Sequence, residues 1–237
     1  MKWIYIKSFL SAALLFSIIA VIIISGKNNK SQAVDTVLND NKPNYVLIID
    51  AGHGGADGGA VASDGTQESI INLSIALKID ALSRLFGINT LMTRSSEELN
   101  YPDEVSSISS KKHWDQKRRL EIINSTNDAF FLSIHQNKYP DARPSGPQVL
   151  YAHDDASKSW GELTHSLLNE KLCSHNRRLA SPIQDNIYLM NNAKCPAILV
   201  ECGFISNPDE LAKLLSEQYQ IKIAAVILSS FISYTTR

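Results

Sequence analysis

Short apolar runs alternate with longer amphipathic segments from Asn44 onward, and no other feature of the sequence constrains the fold as strongly. Tyr45–Asp50 is an apolar run that ends in a glycine-rich turn, and apolar residues then recur at helical spacing over Ser69–Phe86. The same reasoning predicts further strands at Asn89–Met92, Ala129–Ile134, Gln148–Tyr151, Tyr188–Met190 and Ala197–Val200, and further helices at Trp114–Asn124, Ala156–Cys173 and Gln218–Ser233. We therefore predict an α/β fold: a single domain with a mostly parallel, twisted sheet of about six strands and helices on both faces.

Two local signals refine this prediction. Asn207-Pro208-Asp209-Glu210 offers an N-cap, a proline at the first helical position and an acid at the third, so a helix is expected to start there and to fix the backbone just beyond Glu201. Thr93–Lys112 shows no periodicity and is long for a connection in a compact domain. Connections of that length are often functional.

The first residues of the chain differ from the rest. Lys2 and Lys7 precede an uninterrupted, largely apolar run over residues 9–25. This predicts a membrane anchor or signal peptide over 1–25, a linker over 26–43 and a folded domain over 44–237. The run is longer than a typical secretory apolar core and slightly shorter than the roughly 20 residues that cross a bilayer, so both alternatives stay open and the anchor is favoured. Either one takes the domain out of the cytoplasm.

Composition excludes several classes of protein. The formal net charge is −1, and a chain without basic excess is not expected to bind nucleic acid. The same balance argues that recognition depends on a shaped site rather than on bulk charge. Cys173, Cys195 and Cys202 are odd in number and lack Cys-x-x-Cys spacing, so we predict neither a disulfide framework nor a cysteine zinc site.

Three ionisable residues directly follow predicted strands. His53 lies in DAGHGG after the first strand, His135 lies in SIHQN after a later one, and Glu201 follows the strand at 197–200. A fourth, Glu68, opens the first predicted helix. Because ligands bind beyond the carboxyl ends of the strands in an open α/β sheet, these side chains are the strongest candidates for function.

Two imidazoles and one carboxylate form a known type of catalytic zinc site. His53, Glu68 and His135 offer that set, and the glycines around His53 leave room for a metal and a substrate. Glu201 is then available as a general base. The residues alone leave two alternatives open, namely hydrogen-bonded structural histidines and a phosphate-binding turn. The turn lacks the GxGxxG and GxxxxGK[ST] patterns, which weakens the phosphate alternative.

The remaining histidines are assigned structural or solvent roles; they are His113, His153, His165 and His175. His153 followed by Asp154 and Asp155 invites a second metal site. Adjacent acids point in divergent directions, however, and are expected to begin the next helix.

Longer blocks of sequence resemble those of a known enzyme family. In chain order they are DAGHGGADGGA from Asp50, QESIINL from Gln67, RLEIIN from Arg119, FLSIHQN from Phe131 and PAILVECGFISNPDE from Pro196. From Tyr45 to the C-terminus, the chain resembles the zinc-dependent N-acetylmuramoyl-L-alanine amidases of the type-3 class. Its size and short N-terminal segment are also similar to the sporulation- and germination-specific amidases of the spore cortex, which are linked to muramic-lactam formation.

The resemblance implies a role for each matching position. His53, Glu68 and His135 match the ligands of one zinc ion, and Glu201 matches the catalytic glutamate. Three further matches, assigned to substrate binding, are Arg119, Asn137 and Asn207. Ala51 and Cys202 depart from the residues usual in the family.

The implied reaction is hydrolysis of the amide between the lactyl group of N-acetylmuramic acid and the L-alanine of the peptidoglycan stem. A zinc-dependent deacetylase or carboxypeptidase and an inactive wall-binding protein are the alternatives. No repeat-built wall-binding module is recognisable, which motivates the hypothesis of a separate activator or substrate-presenting protein. Contact with a membrane is expected through the N-terminal segment only.

Overall fold

The computed structural model describes residues 45–236, and the segments predicted at 1–25 and 26–43 lie outside the described residues. The elements in chain order are β1 (Val46–Ala51), α1 (Glu68–Leu85), β2 (Asn89–Met92), α2 (Ile108–Ser125), β3 (Ala129–Asn137), β4 (Gln148–Tyr151), α3 (Asp155–Leu172), β5 (Ser181–Pro182), α4 (Tyr188–Asn192), β6 (Ala197–Phe204), α5 (Pro208–Leu214) and α6 (Glu217–Thr235). None of the helices within residues 45–236 combines the length and apolar character needed to cross a membrane.

The strands form one sheet in the order β2-β1-β3-β6-β4-β5. β1 pairs in parallel with β2 and β3, and β3 pairs in parallel with β6. β4 runs antiparallel to β6 and parallel to β5. The prediction of one α/β domain with a mostly parallel six-stranded sheet is confirmed. The three central strands, β1, β3 and β6, point their carboxyl ends toward the same edge.

Alternate residues of the central strands pack on opposite faces of the sheet. Ile49 belongs to a core formed with α1, α3, α5 and α6. Phe131 and Leu199 belong to a second core, formed with α2 and α4. Cys202 packs in the first core, on the face opposite Glu201, as the period of a strand predicts. Helices therefore cover both faces, and they leave the carboxyl edge of β1, β3 and β6 for polar side chains.

The predicted strand at 188–190 is wrong, because these residues begin the short helix α4. The backbone amides of Asn191 and Ala193 donate to carbonyls of the preceding turn, which closes the helical hydrogen bonds. A three-residue apolar run is too short to distinguish the two periodicities. The sixth strand is β5 instead. Its Pro182 is tolerated because β5 lies at the edge of the sheet.

Helix α2 begins earlier than predicted, at Ile108 instead of Trp114. The side chain of Ser107 caps it by accepting a hydrogen bond from the amide of Ser110 at 3.1 Å. The predicted loop over Thr93–Lys112 is correspondingly shorter. This early start places Lys112 on a helix that faces the carboxyl edge of the sheet.

Candidate metal centre

The ends of the central strands bring the predicted ligands together. His53 follows β1, while His135 and Glu201 are paired in register on β3 and β6, so their side chains leave the same face side by side. Glu68 is the first residue of α1. One ligand atom from each of His53, Glu68 and His135 can be chosen so that all three lie within 4.8 Å of one another.

Glu68 is buried at the centre of this cluster. Its Oε1 lies 2.9 Å from Nδ1 of His135, and its Oε2 lies 3.4 Å from Nε2 of His53. The backbone amides of Ala60 and Gln136 donate to the same carboxylate at 2.9 Å and 3.0 Å. Burial alone would raise the pKa of Glu68, but the hydrogen bond with His135 and the charges of both histidines lower it to about 2. Glu68 is therefore anionic at neutral pH, as a carboxylate that binds a metal must be.

The surroundings of His135 are negatively charged. Burial alone would lower the pKa of this imidazole. The hydrogen bond with Glu68 and the charges of Glu68, Glu201 and Asp50 outweigh burial and raise the pKa above its usual value. A cluster that stabilises a proton in this way also attracts a cation.

Two glycines make room for the ligand side chains. A Cβ at Gly52 would lie 2.2 Å from Nε2 of His135. At Gly59, where φ is 70°, a Cβ would lie 2.7 Å from both Oε2 of Glu68 and Cδ2 of His53. A larger residue at either position would therefore push His135, Glu68 or His53 out of its observed place.

Two buried arginines hold the backbone that carries His53. Arg94 donates through Nε to the carbonyl of Ala51 at 2.8 Å and through Nη2 to that of Gly52 at 3.2 Å. Arg119 donates through Nη1 to the Ala51 carbonyl at 2.8 Å and through Nη2 to the His53 carbonyl at 2.5 Å. His53 has a φ of 61°, an uncommon conformation for a residue other than glycine. The arginines stabilise that conformation through three consecutive carbonyls.

Asp50 and Asp115 balance the charge of Arg119. Asp50 lies 2.9 Å and Asp115 lies 2.7 Å from the guanidinium nitrogens. Thr93 and Ser133 each donate a 2.6 Å hydrogen bond to the Asp50 carboxylate. Burial opposes ionisation of Asp50, yet Arg119 and the two hydroxyls hold its pKa below the usual value. Arg119 therefore stays charged and fixed beneath the loop.

The three residues predicted to bind substrate have partners within the protein. Arg119 is only 2% exposed. Asn137 lies at the end of β3, where its carbonyl accepts from the amide of Ile205 at 2.9 Å. Asn207 is the N-cap of α5, and its side chain also donates to the carbonyl of Pro144 at 3.2 Å. The side-chain contacts of Arg119 and Asn207 support structural roles, whereas the bond of Asn137 involves only its backbone. Substrate contact stays a prediction for all three.

Replacing Asn207 by alanine is expected to lower the free energy of unfolding by about 1 kcal/mol, because the amides of Asp209 and Glu210 lose their cap. Denaturant unfolding measures this change. Ser216→Ala is the matched control, since Ser216 precedes α6 without a side-chain capping bond. An Asn207→Ala protein with parental stability and a raised KM would contradict the capping role and favour the predicted substrate contact.

Glu201 differs from the ligands because its side chain lacks a full set of partners. Within residues 45–236, its Oε2 is buried and accepts no hydrogen bond. Burial raises the pKa of Glu201 to about 7, an effect that the charge of His135 opposes and that of Glu68 reinforces. A buried carboxylate that titrates near neutral pH beside a ligand cluster is suited to proton transfer.

A cavity opens over these residues. The loop after β1 forms one wall, α2 forms a second, and the segment leading into α4 forms a third. Polar and apolar side chains mix in the lining; besides the ligand histidines and Glu201 it includes Asp57, Lys112, Gln116, Asn186, Tyr188 and Met190. The cavity thus leaves His53, His135 and Glu201 accessible from the same opening.

Sequence reasoning did not assign several residues that support this site. Asn72 lies one helical turn after Glu68 and donates to its carboxylate at 3.2 Å. Asp57 lies four residues after His53 and contacts its ring. In both cases a spacing of four residues from a predicted ligand was the signal in the sequence that could have identified the residue. Arg94 follows β2 with no spacing that links it to the loop it holds.

His153, which together with Asp154 and Asp155 suggested a second metal site, is not part of a metal cluster. Within residues 45–236, the group formed by His53, Glu68 and His135 is the one cluster of three or more potential ligands. Asp154 instead caps α3 by accepting from the amide of Ser157 at 2.8 Å. This agrees with the expectation that the acids begin a helix.

Comparison with known proteins agrees with the geometry. The Amidase_3 family, described as N-acetylmuramoyl-L-alanine amidase, matches residues 47–232. The germination-specific N-acetylmuramoyl-L-alanine amidase of Bacillus subtilis (strain 168) is 32% identical over 194 residues, which cover 81% of this chain and 80% of that protein.

Solved structures show the same architecture. The CwlD amidase from Clostridioides difficile, solved in complex with the GerS lipoprotein, is 34% identical with a TM-score of 0.77, and the match covers 81% of this chain and 98% of that one. The catalytic domain of the amidase CwlV from Bacillus (Paenibacillus) polymyxa var. colistinus is 26% identical with a TM-score of 0.65, over 80% and 97% of the two chains. The chain therefore belongs to the Amidase_3 family of N-acetylmuramoyl-L-alanine amidases, enzymes that act on peptidoglycan.

Proposed function

We propose that this enzyme is zinc-dependent and hydrolyses the amide between the lactyl group of N-acetylmuramic acid and the L-alanine of the stem peptide, with Glu201 as general base. One observation carries the proposal. The ligand atoms of His53, Glu68 and His135 converge within 4.8 Å, beside a buried carboxylate oxygen of Glu201 that has no hydrogen-bond partner within residues 45–236.

The donor set fits a single zinc ion. Two imidazoles and one carboxylate are the protein ligands of a common class of catalytic zinc site. The ionised Glu68 and the negative surroundings of His135 favour a cation at this point. When bound, zinc supplies Lewis-acid chemistry, which polarises an amide carbonyl and lowers the pKa of water.

Glu201 transfers a proton from the attacking water to the leaving amine. Because its pKa is about 7, a substantial fraction of this carboxylate is ionised at neutral pH and can accept a proton from the attacking water. The same carboxylic acid then donates that proton to the leaving amine of L-alanine. Oε2 is free to do so because no hydrogen bond within residues 45–236 occupies it. The reaction needs no covalent intermediate.

We further propose that the substrate is spore cortex peptidoglycan and that the enzyme acts outside the cytoplasm in sporulation or germination. Similarity to the germination-specific amidase of Bacillus subtilis and to CwlD of Clostridioides difficile supports this role. The complex of that CwlD with a lipoprotein supports a separate activator or substrate-presenting protein for this chain as well. The N-terminal segment over 1–25 stays a predicted anchor or signal.

Mass spectrometry of digested peptidoglycan tests the reaction. The purified full-length chain is stripped of metal with a chelator and then incubated with peptidoglycan, with and without added zinc. We expect zinc-dependent release of stem peptides that carry a free L-alanine amino group, with intact lactyl acids left on the glycan. Released acetate would identify a deacetylase instead, and a released C-terminal amino acid would identify a carboxypeptidase. Binding without any product, at high as well as at low enzyme concentration, would favour the inactive wall-binding alternative.

The proposed partner requires a separate measurement. If a second protein presents the substrate or completes the site, the isolated chain is expected to have low activity at low enzyme concentration. Full activity of the isolated chain under those conditions would contradict the need for a partner and leave the amidase proposal intact.

A further inference from the structure

Asp57 contacts the side of the His53 ring that faces away from the ligand cluster. Oδ2 of Asp57 lies 3.0 Å from Nδ1 of His53, whereas Nε2 of the same ring lies 3.4 Å from Oε2 of Glu68. An ionised carboxylate only accepts hydrogen bonds, so Nδ1 carries the proton in this pair. This contact turns the opposite nitrogen, Nε2, toward Glu68 and His135.

The Asp57 carboxylate is itself held in place. The amide of Gly59 donates to its Oδ1 at 3.2 Å, and Nζ of Lys112 lies 2.9 Å from Oδ2. The backbone of Asp57 is tied to Gly54 by hydrogen bonds of 2.7 Å and 3.0 Å in the two directions. With both ends restrained, the carboxylate has little freedom to turn away from the ring.

The position of the His53 ring depends on its contact with Asp57, because fewer other contacts hold it than hold His135 and Glu68. His135 lies within β3, and the Glu68 carboxylate receives hydrogen bonds from two backbone amides. His53 lies in a loop with a positive φ, and the two arginines beneath it hold its backbone and not its ring. Apart from its contacts with Glu68 and His135 inside the cluster, the ring is oriented by the side chain of Asp57.

We propose that Asp57 is a positioning residue, which fixes the tautomer and orientation of His53 and thereby strengthens metal binding. The inference rests on the proposed zinc centre. Groups that hold the second nitrogen of a metal-binding histidine typically contribute about ten- to a hundredfold to metal affinity. Two structural explanations compete with this one: Asp57 stabilises its own turn through Gly59, or it tethers α2 through Lys112.

The tether to α2 has a direct control, and the turn contact has an analogous one in a neighbouring turn. Asp64 accepts a hydrogen bond from the amide two residues later, Thr66, at 2.9 Å, as Asp57 does from Gly59, but Asp64 is exposed and contacts no ligand. Asp64→Ala therefore removes a similar turn contact alone. Lys112→Met breaks the ion pair to α2 and leaves the Asp57 carboxylate against His53.

The experiment measures the zinc dissociation constant of full-length protein by competition with a chromophoric chelator, together with thermal unfolding of the metal-free form. We expect Asp57→Ala to weaken zinc binding about ten- to a hundredfold. Asp57→Asn should weaken it less, because an amide oxygen can still accept from Nδ1. Asp64→Ala and Lys112→Met should stay within about threefold of the parent, since neither removes the contact with His53. The metal-free Asp57 and Asp64 variants should unfold at similar temperatures.

Three results would overturn the inference. If Asp57→Ala binds zinc as tightly as the parent, the ring does not need this carboxylate. If Lys112→Met weakens zinc binding as much as Asp57→Ala, the tether to α2 is responsible. A parent protein that takes up no zinc would overturn the proposed metal centre as well, whereas the first two results leave that centre standing.

Discussion

Replacing Glu201 by glutamine is expected to lower kcat by about a hundredfold to ten-thousandfold and to leave the zinc content unchanged. Glutamine has nearly the same size and can still accept a hydrogen bond, but it cannot take up the proton of the attacking water. Glu201 lies outside the cluster of His53, Glu68 and His135, so metal binding does not require it. Turnover of peptidoglycan and metal analysis of the same purified protein measure the two effects.

The control for this variant is Glu162→Gln, which makes the same change at an exposed position on α3 and should leave kcat unaltered. The pH profile adds a second readout. Burial raises the pKa of Glu201 to about 7, and activity falls as the pH drops through this value because the base becomes protonated. A cation bound nearby lowers the pKa, so the acidic limb should lie at or below about pH 7. A Glu201→Gln protein with parental kcat would exclude Glu201 as the base.

Replacing His135 by alanine is expected to abolish zinc binding and activity together. The substitution removes one of three protein ligands, and it also removes the ring that lies 2.9 Å from Oε1 of Glu68. The parent should hold one zinc per chain after dialysis, and the variant should hold close to none. Metal analysis alongside peptidoglycan turnover provides the test.

His153→Ala is the matched control, because His153 is an exposed histidine beside two acids and lies outside the cluster. It should retain both zinc and activity. Zinc retained by the His135 variant, or lost from the His153 variant, would place the metal elsewhere. Together with Glu201→Gln, this pair of variants separates loss of metal from loss of the base, which activity alone cannot distinguish.

Arg119 shows what a sequence match leaves open about the role of a residue. Its position in the block RLEIIN matched the family, and substrate binding was the predicted role. The structure places its guanidinium beneath the His53 loop, where it bonds two backbone carbonyls and two carboxylates. A match in sequence identifies the position, but most partners of this long side chain come from a distant segment, here β1 and the loop after it.

The sequence by itself determined the fold class and the set of candidate ligands. Periodicity is local, so the alternation of strands and helices was readable, and parallel strands necessarily bring their carboxyl ends to one edge. That rule suffices to predict that His53, His135 and Glu201 lie together. Periodicity failed where its signal was short or absent. Three apolar residues at 188–190 fit a strand and a helix equally well, and neither the two-residue strand β5 nor the first turn of α2 carries a periodic pattern.

Only the tertiary structure decided how the candidate ligands are held. The hydrogen bonds from Arg94 to the carbonyls of Ala51 and Gly52 join segments about forty residues apart. The ion pair between Lys112 and Asp57 joins α2 to the loop after β1. Burial of the Glu201 carboxylate raises its pKa to about 7, and that burial depends on the strands and helices that pack against β6. Such effects arise from distances between side chains that are remote in sequence, and no local pattern encodes them.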